Sequence, residues 1–131
     1  MPAEFETQRA LFSALQALGL RAYDVAPQAA DGASLAVFPY VEVGAIVFSP
    51  MDAKDRNGFD FVARIHTRSR TASMKETKDI QGQVYARMHN GEIEIQGQSL
   101  ILLRREMSDV TRVSDGSFHG VCEYRGLIET V

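Results

Sequence analysis

The chain has 131 residues, of which 45% are hydrophobic and 24% charged, the balance of an ordinary globular domain that folds without disulfides or metal. Its 14 lysines and arginines against 17 aspartates and glutamates give a net charge of -3. That charge argues against dedicated nucleic-acid binding, because such domains carry net positive charge. A single cysteine, Cys122, excludes an internal disulfide framework and a zinc site built from several cysteines. Residues 1–131 are expected to form one domain.

The N-terminus and the apolar runs of the chain predict no targeting or membrane segment. Met1–Glu6 is acidic and lacks the basic region of a signal peptide. The longest apolar run, Ala33–Phe48, is interrupted by Pro39 and Glu42 and is too short to span a bilayer. We therefore expect a protein made in the cytoplasm and kept there, or carried in a particle assembled there.

The first predicted element is an amphipathic helix over Glu6–Leu18. Leu11, Leu15 and Leu18 recur at helical spacing and form one apolar stripe. Gly19 follows and suits the left-handed position after a helix. A short extended piece over Arg21–Val25 precedes a polar loop.

Two strands are predicted next, over Val37–Phe48 and Phe59–Thr67. The first carries apolar residues on both faces, which predicts a central strand covered by a helix on one side. The second alternates cleanly between an apolar and a largely polar face. Antiparallel pairing of the two is expected, with the charged loop Ser49–Gly58 between them.

A second helix is predicted from about Met74 to His89. Ser73 and Glu76 match a capping box at its start, and Asn90-Gly91 matches a helix end.

The rest of the chain predicts β structure: a brief edge strand over Glu92–Ile95, a longer strand over Leu100–Arg112 and a last one over Phe118–Glu129. Asp115-Gly116 is expected at a hairpin tip. The order α-β-β-α-β-β predicts an α+β fold: a mainly antiparallel sheet of about four main strands with two helices packed on one face.

The sequence offers little that predicts catalysis, a cofactor or a metal. His119 and Cys122 are spaced as half of a metal site, but no second pair exists and a strand places them on opposite faces. Cys122 lies among apolar neighbours, where a free cysteine behaves as a small hydrophobic residue. The common glycine-rich nucleotide motifs and the serine nucleophile motif are absent. We expect neither an enzyme nor a bound cofactor.

One stretch of the chain is asymmetric in charge, and two interpretations of it remain open. Its basic residues are Arg64, His66, Arg68, Arg70, Lys75 and Lys78. They form either a patch that faces an acidic partner or phosphates, or a solvated strand face neutralised by nearby Asp60, Glu76 and Asp79. We favour the second interpretation, because no aromatic residues interleave to stack bases.

The order of motifs resembles the tail-completion (tail terminator) family of long, flexible-tailed bacteriophages and prophage-derived particles. Three segments carry the resemblance: Phe38–Gly44 (FPYVEVG), the strand Asp60–Ser69 (DFVARIHTRS) and the closing His119–Glu129 (HGVCEYRGLIE). The resemblance covers nearly the whole chain. The N-terminal extension Pro2–Thr7 and the long loop Ser49–Gly58 depart from many relatives.

The resemblance implies a structural virion protein rather than a catalyst. Its members form a homo-hexameric ring that caps the head-proximal end of the tail tube, stops polymerisation of the major tail tube protein and offers the surface to which the head docks. DNA would pass through the lumen without sequence-specific binding, and the protein would be located in the virion tail after assembly in the host cytoplasm.

Two further functions remain alternatives: an adaptor or stopper ring among the head–tail connector proteins, and a small-molecule-binding or catalytic α+β domain. For the ring, we expect contacts at subunit or tube interfaces from the charged loop and the polar strand face. These residues are Met51, Asp52, Lys54, Asp55, Arg56, Arg64, His66 and Arg68.

Overall fold

A computed structural model describes residues 2–32, 34–52 and 56–131. Seven elements follow one another along the chain: α1 (Ala3–Ala17), β1 (Ala22–Tyr23), β2 (Tyr40–Pro50), β3 (Gly58–Ser69), α2 (Lys75–Met88), β4 (Gln98–Arg112) and β5 (Phe118–Thr130). The strands form one sheet in the order β1-β2-β3-β5-β4. None of the helices in these ranges is long and apolar enough to cross a membrane.

The predicted α+β class is confirmed, but the sheet is mixed and has five strands, where about four main strands in a mainly antiparallel sheet were predicted. The extended piece predicted at Arg21–Val25 contributes β1, which pairs in parallel with Val41 and Glu42 of β2. The predicted pairing of β2 with β3 and the hairpin of β4 with β5 are both antiparallel, as expected. Gly116, at the hairpin tip, has a φ of 89°, the left-handed backbone that glycine adopts without strain.

Two local predictions are wrong. Residues 92–95 form no strand and make only an isolated bridge between Ile95 and Gln98. The capping box at α2 is not formed: Ser73 Oγ accepts a hydrogen bond from Lys75 N at 3.3 Å, whereas Glu76 accepts one from Ser69 Oγ. The Glu76 carboxylate is therefore bound by Ser69 at the end of β3, and not by the backbone at the start of α2.

The core lies between the two helices and one face of the sheet. Leu15 of α1 and Val84 of α2 are buried against the sheet face that carries Val43 and Phe61, as the apolar stripe of α1 predicts for Leu15. Tyr40 and Tyr124 are also buried, at 5% and 0% exposure. Because both helices lie on this side, the other sheet face has no helix over it in the described ranges.

At Gly126, the backbone of β5 lies close to the ring of Phe61 in β3. Gly126 pairs directly with Phe61 across β5 and β3, and a Cβ atom at Gly126 would lie 2.1 Å from Phe61 Cζ. The glycine of β5 is therefore what makes room for the buried phenyl ring of β3.

Candidate interaction surface

The side chains of β2 to β5 that point away from the helices form what we call the open face. The strand register sets its rows, in which His66 lies opposite Glu42 and Val121, and Arg64 lies opposite Glu123. Charged, imidazole and apolar groups alternate over it. Its principal members are Glu42, Val47, Asp60, Val62, Arg64, His66, Arg68, Leu102, Arg104, Met107, Asp109, His119, Val121, Glu123, Arg125 and Leu127.

Ion pairs between β3 and β5 neutralise much of the charge on the open face. Arg64 Nη2 lies 3.1 Å from Glu123 Oε2. Arg125 binds Asp60 through two hydrogen bonds, from Nε and from Nη2. Both arginines are more than half exposed, and such pairs contribute only about 0.2–1 kcal/mol each. Arg64 is therefore neutralised, but by Glu123 of β5 and not by Asp60, Glu76 or Asp79, the carboxylates that the sequence suggested.

His66 of β3 and His119 of β5 form a pair on the open face, in adjacent rows of the two strands. Their rings are stacked at 18°, and His66 Nδ1 lies 2.9 Å from His119 Nε2, so that one imidazole donates and the other accepts. Burial lowers the pKa of His66 against the opposing charge of Glu42. Burial and then Arg68 lower the pKa of His119.

Gly44 supports this pair from β2. A Cβ atom at Gly44 would lie 2.6 Å from His66 Nε2, so the imidazole lies directly against the backbone there. This contact explains why the motif segment Phe38–Gly44 ends on a residue without a side chain.

The loop between β1 and β2 covers one corner of the open face. Ala26 N donates to Glu42 Oε2 at 2.6 Å, and Tyr40 is enclosed by edge contacts with the rings of Tyr23 and Phe38. Burial raises the pKa of the Tyr40 hydroxyl. Beside this corner, a cavity of about 590 Å³ opens between the loop and the end of β3.

The predicted interface residues separate into two groups at opposite ends of β3. Arg64, His66 and Arg68 share the open face near its end, as expected. Met51, Asp52 and Arg56 are exposed near its start, about 33 Å away at 3.3 Å per residue, and Lys54 and Asp55 lie outside the described residues. Arg56 Nε lies 3.5 Å from Glu129 Oε1, and Met51 lines a cavity of about 220 Å³ with Leu102 and Leu127.

Sequence reasoning missed the residues of β5 that complete this surface. His119 drew attention only as half of a metal site with Cys122, yet it faces His66, while Cys122 is buried on the helix side. Burial raises the pKa of the Cys122 thiol, so it is not activated as a nucleophile. In the ranges that the structure covers, no group of three or more histidine, cysteine or carboxylate residues could hold a metal ion.

Comparisons with known proteins give one family match and one structural match. The family model described as "Tail completion protein gp17" matches residues 8–129. A chain of the solved structure "Virion of native gene transfer agent (GTA) particle" has the same fold, with a TM-score of 0.77 and 20% identity over 93% of both chains. A search of curated proteins gives no significant match.

Proposed function

The chain belongs to the tail completion protein gp17 family and is a structural protein of the virion tail, and on this premise we propose that it closes the head-proximal end of the tail tube as a ring of six subunits. In that position it stops polymerisation of the tube protein and presents the surface to which the head docks. A role as a structural ring subunit, and not as an enzyme, is in keeping with the family.

The observation that carries this proposal is the open face. A sheet whose other side buries the core leaves a set of charged side chains and several apolar ones uncovered. Val47 is 64% exposed, and Ile101, in a bulge of the edge strand β4, is 54% exposed. An exposed edge strand beside such a face invites pairing with a neighbour, and a closed ring uses that contact without forming fibres.

The size of the chain is compatible with a ring around DNA. A compact domain of this length has a radius of gyration of about 14 Å, hence a sphere radius of roughly 18 Å. Six touching spheres leave a central opening of about 36 Å by the same relation, wide enough for a duplex. The net charge of -3 and the ion pairs of the open face support passage of DNA without specific binding.

We assign the tube contact to residues 51–57, which connect β2 to the start of β3. They carry mixed charges, which gain little by packing on their own domain. Six copies would present a repeated crown to a tube end of matching symmetry through many weak contacts.

The length of tails made without this protein tests the function. Tubes assembled from the major tail tube protein alone should run on beyond the normal length, and purified protein added during assembly should restore a narrow length distribution. Tails of normal length in its absence would refute the capping role. Tails of normal length that fail to join heads would instead assign the protein to the connector, as an adaptor or stopper ring.

A further inference from the structure

Two arginines at the end of β3 stand apart from the ion pairs of the open face. Within the described residues, neither Arg68 nor Arg70 forms an ion pair. The carboxylates nearest to them are already engaged. Glu42 accepts from Ala26 N, and Asp115 Oδ1 accepts from Ser117 N at 2.9 Å and from Ser117 Oγ at 2.6 Å.

The same two arginines lie beside the 590 Å³ cavity. The guanidinium of Arg70 lies 3.9 Å from the centre of the Phe38 ring, and both arginines line the cavity together with apolar Val25 and Phe38. Being two residues apart, their Cα atoms are separated by at most about 7 Å. The site therefore presents two cations close together along the chain beside an apolar wall.

A segment with matching charge and spacing lies before β4. Glu92 and Glu94 are exposed, while Ile93 and Ile95 between and after them are buried at 7% and 3% exposure. This alternation anchors the segment and turns both carboxylates outward, again two residues apart. In the part of the chain that the structure describes, neither carboxylate has an ion pair. The nearby Arg87 donates to the backbone oxygen of Glu92 and not to its carboxylate.

The cationic and anionic pairs lie at opposite ends of the sheet. Arg68 is level with His119 at the start of β5, whereas the acidic segment leads into Gln98, which is level with Thr130 at the end of β5. These levels are about 37 Å apart at 3.4 Å per residue. The two sites cannot meet within one copy, and a contact between them joins copies head to tail.

We propose that Arg68 and Arg70 of one copy bind Glu92 and Glu94 of a second copy. The inference rests on the proposed ring, since a head-to-tail contact between two different patches is the kind that closes into a ring. Bidentate pairing of guanidinium with carboxylate suits this interface, because the planar fork matches the anion. A second copy is favoured over DNA because Glu92 and Glu94 repeat the two-residue spacing of Arg68 and Arg70, whereas the net charge of -3 opposes binding to a continuous phosphate backbone.

Charge reversal tests the contact in a way that also controls for folding. The variant R68E/R70E carries acidic groups at both sites, and E92R/E94R carries basic groups at both. Each alone should lose subunit association on the order of 100-fold, the effect of like charges facing across an interface. An equimolar mixture should assemble again, because the two variants can alternate around a ring with an even number of subunits. K75E/K78E, with the same charge change on the exposed side of α2, is the matched control and should assemble normally.

The measurement is molar mass by light scattering across protein concentration, with thermal unfolding recorded for each variant. Three results would each overturn the contact. R68E/R70E could assemble at the same concentration as the wild-type protein, the mixture of the two variants could stay dissociated, or the wild-type protein could stay monomeric even on tail tubes. The contact would also be refuted if R68E/R70E had the molar mass of the wild-type assembly but no longer bound a 30-base-pair DNA duplex that the wild-type protein binds. That result would assign the arginines to phosphate binding. Normal capping of tubes by R68E/R70E would refute the contact and leave the capping function standing, whereas a wild-type ring that caps no tubes would refute only that function.

Discussion

Replacing Gly126 by alanine should destabilise the protein, although alanine is the better residue in most folded backbones. The new Cβ atom would lie 2.1 Å from Phe61 Cζ and 2.4 Å from Cε1, where ordinary contact needs 3.4 Å or more. The ring must move by more than an ångström, and at 1% exposure it has no free space to enter. Overpacking of a filled core typically costs 1–3 kcal/mol, so we expect a loss of about 3 kcal/mol.

The same substitution at Gly82 provides the control. Gly82 lies in α2, and a Cβ atom added there would meet no described atom within 4 Å beyond the helix's own backbone and the adjacent residues, so alanine should stabilise the helix by about 1 kcal/mol. With a urea dependence of about 2 kcal/mol per molar, the unfolding midpoints of the two variants should differ by about 2 M at one protein concentration. Adding Phe61→Leu to Gly126→Ala should recover part of the loss, since a smaller side chain relieves the overlap. Equal midpoints for the two alanine variants, or no coupling with Phe61, would refute this reasoning.

Three other predictions concern the core, the histidine pair and the loop. Leu15→Ala should cost roughly 2–5 kcal/mol through a cavity, while Gln16→Ala on the exposed side of α1 should leave the denaturation midpoint unchanged. Because burial lowers the pKa of both His66 and His119, the unfolded chain binds more protons below about pH 6.5. Stability should therefore fall as the pH drops through that value, and the double variant to glutamine should flatten the profile of unfolding midpoint against pH. Replacing residues 51–57 with a short Gly/Ser linker should leave folding and ring formation intact but weaken tube capping, measured as tail length; normal, infectious particles would place the tube contact elsewhere.

The elements that could be predicted from the sequence are those whose buried residues recur at a regular spacing along the chain. The stripe of α1 and the alternation of β3 each record a single buried face, so both elements occur where the pattern places them. β1 has only two residues and hence no period, and its parallel pairing depends on contacts such as Val41 N to Arg21 O at 2.9 Å. Residues 92–95 do alternate, but their alternation reflects two isoleucine anchors in the core and not a strand partner.

The candidate surface was only half predictable for a related reason. Arg64, His66 and Arg68 alternate within one strand and so could be assigned to one face. Their partners Glu123 and His119 lie more than fifty residues away, and pairing them requires the register of β3 against β5. That register is fixed by the packing of the helix side, where Phe61 meets Gly126, and no local pattern reports it.

The one-sided covering of the sheet also bears on how the protein can diverge among related particles. Along β3, residues 59, 61, 63 and 65 are fixed in volume by the helices behind them, whereas residues 60, 62, 64 and 66 face outward. A change on the outward set leaves the packing on the helix side intact and can follow a change in whatever docks there. Variation between relatives should therefore recur at every second position of this strand. The odd-numbered positions would be constrained by core packing, and the even-numbered positions by the protein that binds this face.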